Sequence, residues 1–288
     1  VLGDRQWTLI HGDCLNGETG LRSLADGSVH HVITDPPYEA EAHTQGRRIK
    51  TGGAGGFYGV ANAPLTFDAM TPELRTGVAV EAGRIAIRWV LAFCQVEAVQ
   101  EWATELTAAG LVYKRSCVWI KPDGQPQLTG DRPGMGYEMF VTAHAPGKSR
   151  WNGGGKVGVY TAVRHQDHGP RHLRHPTVKP LPLMEAIIRD FTDPGDIIVD
   201  PFAGSGTTGV AAIRLGRRFI GWERNESYHA MARKRLEETR EQPELIASER
   251  FTREAGEKRR QTTLELERPF GDGGFEPAFL PPEDKESA

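Results

Sequence analysis

The chain has 288 residues, 38% of them hydrophobic and 25% charged, with a mean hydropathy of −0.46 and a formal net charge of −3. That is enough chain for a large buried core, and the composition is that of a globular protein rather than a fibrous or disordered one. No run reaches the ~20 apolar residues of a membrane span and no basic-then-apolar leader is visible, so a cytoplasmic location is expected.

The net charge conceals an uneven distribution. Residues 1–236 carry 27 Lys and Arg against 24 Asp and Glu, and residues 237–288 carry 8 against 14. A slightly positive body does not oppose a nucleic-acid partner. Cys14, Cys94 and Cys117 are scattered, without a CxxC pair, and read as buried thiols of a reducing compartment.

In chain order, residues 7–11 (WTLIH) predict a first strand, ending at Gly12-Asp13-Cys14, where Asp13 can cap the following turn. A helix is expected around Leu21. The apolar run 29–33 (VHHVI) then predicts a strand that stops abruptly at Thr34-Asp35-Pro36-Pro37-Tyr38. Neither proline can donate to a ladder, and a residue before proline is pushed away from helix. What remains at that strand end is one carboxylate, rigid backbone carbonyls and one aromatic ring. Such a set suits a planar amino group: Asp35 and the Pro36 carbonyl each accept one N–H, while Tyr38 stacks on the ring. The blander alternative is a strand-terminating turn with an incidental tyrosine.

Residues 39–66 are glycine-rich, with Arg47, Arg48 and Lys50 ahead of a GGAGGFY stretch. A loop this long is usually functional or disordered, and we read it as a mobile loop whose basic residues can meet phosphates. A helix is predicted from Pro72 to about Gly83, a buried strand over 89–94, and an amphipathic helix over 96–109 closed by Gly110. Residues 111–120 and 137–144 predict two more strands, with irregular segments at 121–136 and 147–176. The second of these carries Arg150, Lys156, Arg164, Arg171 and Arg174, four histidines (His165, His168, His172, His175), Trp151 and Tyr160. Its basic residues are interleaved with these aromatics. With no cysteine nearby and no finger spacing, no metal is expected there.

A helix over 183–191 precedes a second short buried-strand pattern, 196–200 (DIIVD). That strand runs into Pro201-Phe202-Ala203-Gly204-Ser205-Gly206-Thr207-Thr208-Gly209 and then a helical run. Strand, glycine turn and helix let backbone N–H groups approach a ligand that a side chain would block. Gly204, Gly206 and Gly209 spell GxGxxG, weak evidence alone, and no lysine stands in the Walker position. Glu223 ends the next predicted strand, 19 residues after Gly204, near the ~20-residue offset at which an acid meets ribose hydroxyls. Asn225 opens a final helix toward Arg240. Residues 1–241 are expected to form one domain and 242–288 a charged, flexible tail. Alternation of strands and helices predicts an α/β fold, a mostly parallel sheet with helices on both faces.

Together these motifs resemble the S-adenosylmethionine-dependent amino methyltransferases of DNA, which modify adenine N6 or cytosine N4. Asp35-Pro36-Pro37-Tyr38 is similar to their catalytic motif, and the stretch from Asp200 to Thr208 to their cofactor loop. The catalytic motif comes first, as in the permuted beta group, and residues 175–180 (HPTVKP) and Gly12-Asp13 also match that group. The resemblance covers roughly residues 6–236. It implies a Rossmann-like sheet with an antiparallel hairpin at one edge and S-adenosylmethionine as cofactor. Its expected binding set is Asp13, Cys14, Asp35, Lys179, Asp200, Pro201, Phe202, Ala203, Gly204, Ser205, Gly206, Thr207, Thr208 and Glu223. Asp13 would accept from the cofactor's adenine, or only cap its turn. Lys179 would approach the cofactor carboxylate, or only start its helix. DNA is the implied partner, through Arg47, Arg48, Lys50 and the 147–176 segment, and a homodimer is plausible by analogy. Aspartate as the first residue of the tetrapeptide leans toward adenine N6. A nicotinamide-dependent oxidoreductase would leave the tetrapeptide unexplained, a non-catalytic DNA-binding module would not need it, and methylation of RNA or protein glutamine fits the motif order less well.

Overall fold

The computed structural model describes residues 2–38, 69–124, 130–164 and 178–240. The expected DNA-facing loop with Arg47, Arg48 and Lys50, the tail, and the stretch holding Arg171, Arg174 and all four of the segment's histidines lie outside the described residues.

Eight strands make one sheet: β1 (Trp7–His11), β2 (His31–Thr34), β3 (Trp89–Cys94), β4 (Val112–Ile120), β5 (Tyr137–His144), β6 (Val159–Thr161), β7 (Ile197–Asp200) and β8 (Arg218–Glu223). Their spatial order is β1-β8-β7-β2-β3-β5-β4-β6. All neighbours pair in parallel except β5, which runs against both β3 and β4. The expected mostly parallel sheet and its β4–β5 hairpin are therefore present. The outer edge is β6, however, which comes from the segment expected to be irregular.

The helices are α1 (Pro72–Ile85), α2 (Val99–Ala108), α3 (Leu181–Phe191), α4 (Thr207–Arg214) and α5 (Glu226–Glu238). Thr71 caps α1 by accepting from Leu74 N, with Pro72 preset for the first turn, and Asn225 caps α5 through Tyr228 N. The helix expected around Leu21 is only a three-residue 3-10 turn, Leu21–Ser23.

The central strands β2, β3 and β7 are continuous apolar runs because both their faces are covered. Alternate residues go to opposite sides. Val32, Val90, Ala92 and Val199 pack with Val78, Ile85, Trp102 and Leu106 from α1 and α2. Ile33, Leu91, Phe93 and Ile198 pack with Ile187, Phe191, Val210 and Ile213 from α3 and α4. At the N-terminal ends of the central strands a buried polar network closes the sheet: Asp196 accepts from Arg88 Nη1 (2.7 Å) and meets His31 Nε2 (2.8 Å). Burial pushes the His31 imidazole down to about 4, against the pull of Asp196, so it packs there uncharged near neutral pH.

Candidate active site

The chain leaves β2 at Asp35 and leaves β7 at Asp200, and these two strands are parallel neighbours with Val32 opposite Val199. Two pieces 165 residues apart in sequence thus end side by side, at the point where the strand order reverses. A buried side-chain bond links them: Thr34 Oγ1 donates to Asp200 Oδ1 at 2.8 Å. Asp200 also accepts from Phe202 N at 3.1 Å, which folds the chain back into the glycine turn. Burial raises the Asp200 carboxyl to about 6, opposed by hydrogen bonds from Thr208, Thr34 and the Phe202 amide.

Gly206 enters α4 with φ +80°, a conformation that a side chain would strain. A Cβ on Gly209 would lie 2.7 Å from the Phe219 ring and 2.8 Å from Leu236, so only glycine lets α4 settle this closely on β8 and α5. The turn is braced from two sides. Arg235 of α5 donates to Ser205 O (2.6 Å), Ser205 Oγ (3.0 Å) and Thr207 Oγ1 (3.1 Å). Glu223, at the end of β8, accepts from Gly204 N through Oε2 (2.8 Å) and from Asn225 N through Oε1 (2.7 Å). Pro201, Ala203, Ser205, Thr207 and Thr208 are buried, while Phe202 and Gly204 keep some exposure. Asp13 follows β1, beside Glu223, and its Oδ1 accepts from Leu15 N at 2.8 Å, the turn-capping role. Burial and then Asp13 push the Cys14 thiol up to about 12, which keeps it a neutral packing residue.

At the other side of Asp35 lies a buried charge cluster. Lys179 Nζ sits 2.7 Å from Asp35 Oδ2 and 3.0 Å from Glu138 Oε2, and 3.4 Å from the Tyr38 hydroxyl, to which it donates. Rings of Phe93, Tyr38 and Trp119 surround the ammonium, with centroids at 5.0, 5.5 and 5.8 Å. Lys121 donates to the other oxygen of Glu138. Burial pushes the Asp35 carboxyl above its ordinary range, with Lys179 opposing and Glu138 adding to the rise. Burial works the same way on Glu138, but Lys179 and Lys121 overcome it and hold that carboxyl well below the ordinary range. For Lys179 the two carboxylates outweigh burial and keep the ammonium charged. Asp35 Oδ1, although buried, has no hydrogen-bond partner among the described residues.

Lys179, expected to approach the cofactor carboxylate, is held here by two acids of the chain. Glu138 and Lys121 were not foreseen. Their signal is slight: a glutamate near the start of the strand YEMFVTAH, and a lysine just before Pro122. Of the basic residues expected to meet DNA, Arg150 pairs with Asp193 (3.4 Å) beside Arg88, at the opposite end of the sheet from Asp35. Lys156 pairs with Asp190 (2.8 Å) in the last turn of α3, toward that same far end. Arg164 lies on the Asp35 side of the sheet and is engaged by Asp123, whose Oδ1 accepts from its backbone N at 2.9 Å.

A doubly wound sheet with an Asp-Pro-Pro-Tyr corner at one strand end and a glycine turn at the next has the architecture of an amino methyltransferase of DNA. Comparison with known proteins agrees. The model of the amino (N6 and N4) methyltransferases, described as DNA methylase, matches residues 102–234. The putative methylase YubD of Escherichia coli K12 is 31% identical over 238 residues, which span 79% of this chain and 88% of that protein. The chain belongs to this DNA methylase family. The type II methyltransferase M2.DpnII of Streptococcus pneumoniae is 61% identical over 64 residues, a match spanning 22% of this chain and 24% of that relative's length. Among solved structures, M1.HpyAVI in complex with S-adenosylmethionine is 26% identical with a TM-score of 0.58, covering 80% of this chain and 98% of that one. No described helix is long and apolar enough to cross a membrane.

Proposed function

We propose that this chain transfers a methyl group to the exocyclic amine of a base flipped out of DNA, with adenine N6 as the target, in the cytoplasm. S-adenosylmethionine is the methyl donor of the family, and when bound it supplies a methyl on a sulfonium, activated for in-line displacement. The residues at the strand ends fit it. A glycine turn at the start of α4 offers backbone rather than side chain, and Glu223 and Asp13 end adjacent strands where hydroxyl and amine donors of an adenosine group need acceptors.

The observation that carries this reading is the Thr34–Asp200 bond, which ties the strand delivering Asp35 to the strand delivering the glycine turn. An aryl amine is a poor nucleophile because its lone pair is delocalised into the ring. Asp35 Oδ1 and the Pro36 carbonyl accept its two N–H groups, favour a pyramidal nitrogen and stabilise the positive charge that develops there. Tyr38 offers its ring as the stacking platform. The remaining task is positioning, and no covalent intermediate is required. Aspartate at the head of the tetrapeptide favours adenine. Arg47, Arg48 and Lys50 of the loop at 39–66, and Arg164, are the DNA contacts we assign; a homodimer is read out by light scattering.

The test is mass spectrometry of nucleosides from unmethylated genomic DNA incubated with the protein and S-adenosylmethionine. N6-methyladenine is expected. N4-methylcytosine would reassign the base, and the absence of both would overturn the proposal. Asp35→Ala should abolish transfer while S-adenosylmethionine affinity stays within about threefold.

A further inference from the structure

We infer that Lys179 is a positioning residue for this reaction: anchored by Glu138, it grips Asp35 by Oδ2 and so presents Oδ1 to the target amine. The inference rests on the methyl-transfer reading above and deepens it. Three observations carry it. Lys179 is 7% exposed, and both of its carboxylate partners lie within 3.0 Å, so a third anion would have to displace one of them. The ammonium is boxed by three rings, which fixes it where an exposed lysine would wander. Asp35 then has one oxygen committed to Lys179 and one buried oxygen with no partner among the described residues.

The second lysine explains why Glu138 is there. Lys121 and Lys179 balance Glu138 and Asp35, so the formal charges of this largely covered group of four sum to zero and each carboxylate keeps a cation. The groups facing Asp35 are Lys179, Glu138, Lys121, Tyr38 and, across the strand end, Asp200. An amine with two N–H groups needs two acceptors, here Oδ1 and the Pro36 carbonyl. A protonated Asp35 would put a donor into that pair. Lys179 is the largest influence opposing protonation, and Glu138 works the other way. Removing one or the other should therefore move the pH dependence of transfer in opposite directions, which general structural damage would not do.

The experiment measures single-turnover transfer from tritiated S-adenosylmethionine to unmethylated genomic DNA as a function of pH, with cofactor affinity measured separately by calorimetry. Lys179→Met should shift the acidic midpoint of the rate upward by about one pH unit or more, with a loss of roughly 100-fold at mildly acidic pH that shrinks to about tenfold at alkaline pH. Its cofactor affinity should stay within about threefold. Lys179→Arg should keep the wild-type midpoint. Glu138→Gln should slow transfer but move the midpoint down, and it decides the matter if the methionine variant does not fold. A Lys179→Met profile with an unmoved midpoint, or cofactor affinity lowered more than about tenfold with the profile unchanged, would overturn the inference. The second result would return Lys179 to the cofactor. A wild-type protein that methylates nothing would instead end the underlying reading, and the two failures are told apart by that control.

Discussion

Thr34→Val tests the joint on which the site is built. Both Thr34 and Asp200 are 1% exposed, and the substitution swaps a hydroxyl for a methyl of nearly the same volume. The change therefore removes a donor without opening a cavity. A hydrogen bond to a charged acceptor contributes about 1.5–3 kcal/mol, and one to a neutral acceptor about 0.5–1.5 kcal/mol. Which figure applies depends on pH, because burial raises the Asp200 carboxyl to about 6. A carboxyl whose folded value lies above its unfolded value favours the native state at low pH. That contribution is lost as pH rises through the folded value, about 3 kcal/mol in all for a rise from 3.8 to about 6. Thr34 opposes the rise, so its removal steepens the loss. Urea unfolding of wild type and Thr34→Val should show a difference of about 2 kcal/mol at pH 7.5 and about 1 kcal/mol or less at pH 4.5. Titrating groups that do not interact with Asp200 cancel in the comparison of the two differences; Asp35, which does, adds to the same pH dependence. Equal destabilisation at both pH values, or none at pH 7.5, would refute the coupling of Thr34 to an ionising Asp200.

Two further substitutions probe the glycine turn. Gly209→Ala gains about 1 kcal/mol of helix propensity, but its methyl meets the fully buried Phe219 and Leu236 below 3 Å, and overpacking costs about 1–3 kcal/mol. The expected net loss is roughly 1 kcal/mol in urea unfolding, and a stabilised variant would show that α4 has room to move. Arg235→Met removes three bonds to the turn at Ser205 and Thr207. Calorimetry should find S-adenosylmethionine binding weakened about tenfold, with the pH midpoint of transfer unmoved, and unchanged affinity would show that Glu223 alone holds the turn.

Much of this was legible in the sequence because it is local. The central strands announce themselves as apolar runs bounded by breakers, and the diproline and the glycines mark where two of them must stop. β6 was missed for a reason of the opposite kind. Three residues, two of them exposed, form a strand only because β4 offers its edge, with Trp119 opposite Tyr160. Nothing in VYT by itself demands it. The same holds for the charges of residues 147–176. Counted within the segment they face a single acid, Asp167, but the acids that hold Arg150, Lys156 and Arg164, namely Asp193, Asp190 and Asp123, come from elsewhere in the chain. Lys179 and Glu138 stand 41 residues apart with no spacing rule between them, so their meeting is a property of the sheet alone.

That sheet property can be stated as register. Three pairings put the ingredients at one end of the strands: Val32 beside Val199, Thr34 beside Ala92, and Cys94 beside Met139. They bring Asp200, Asp35 and Glu138 to the same end of the sheet from segments that are far apart in sequence. A slip of one residue in β2 would do two things at once. It would turn Val32 and Ile33 toward each other's clusters, α1–α2 and α3–α4, and it would carry Thr34 away from Asp200. The hydrophobic cost of the first error is what protects against the second. Core packing on the two faces thus sets the position of the carboxylate, and for that reason the order of the two motifs along the chain has no bearing on whether they meet.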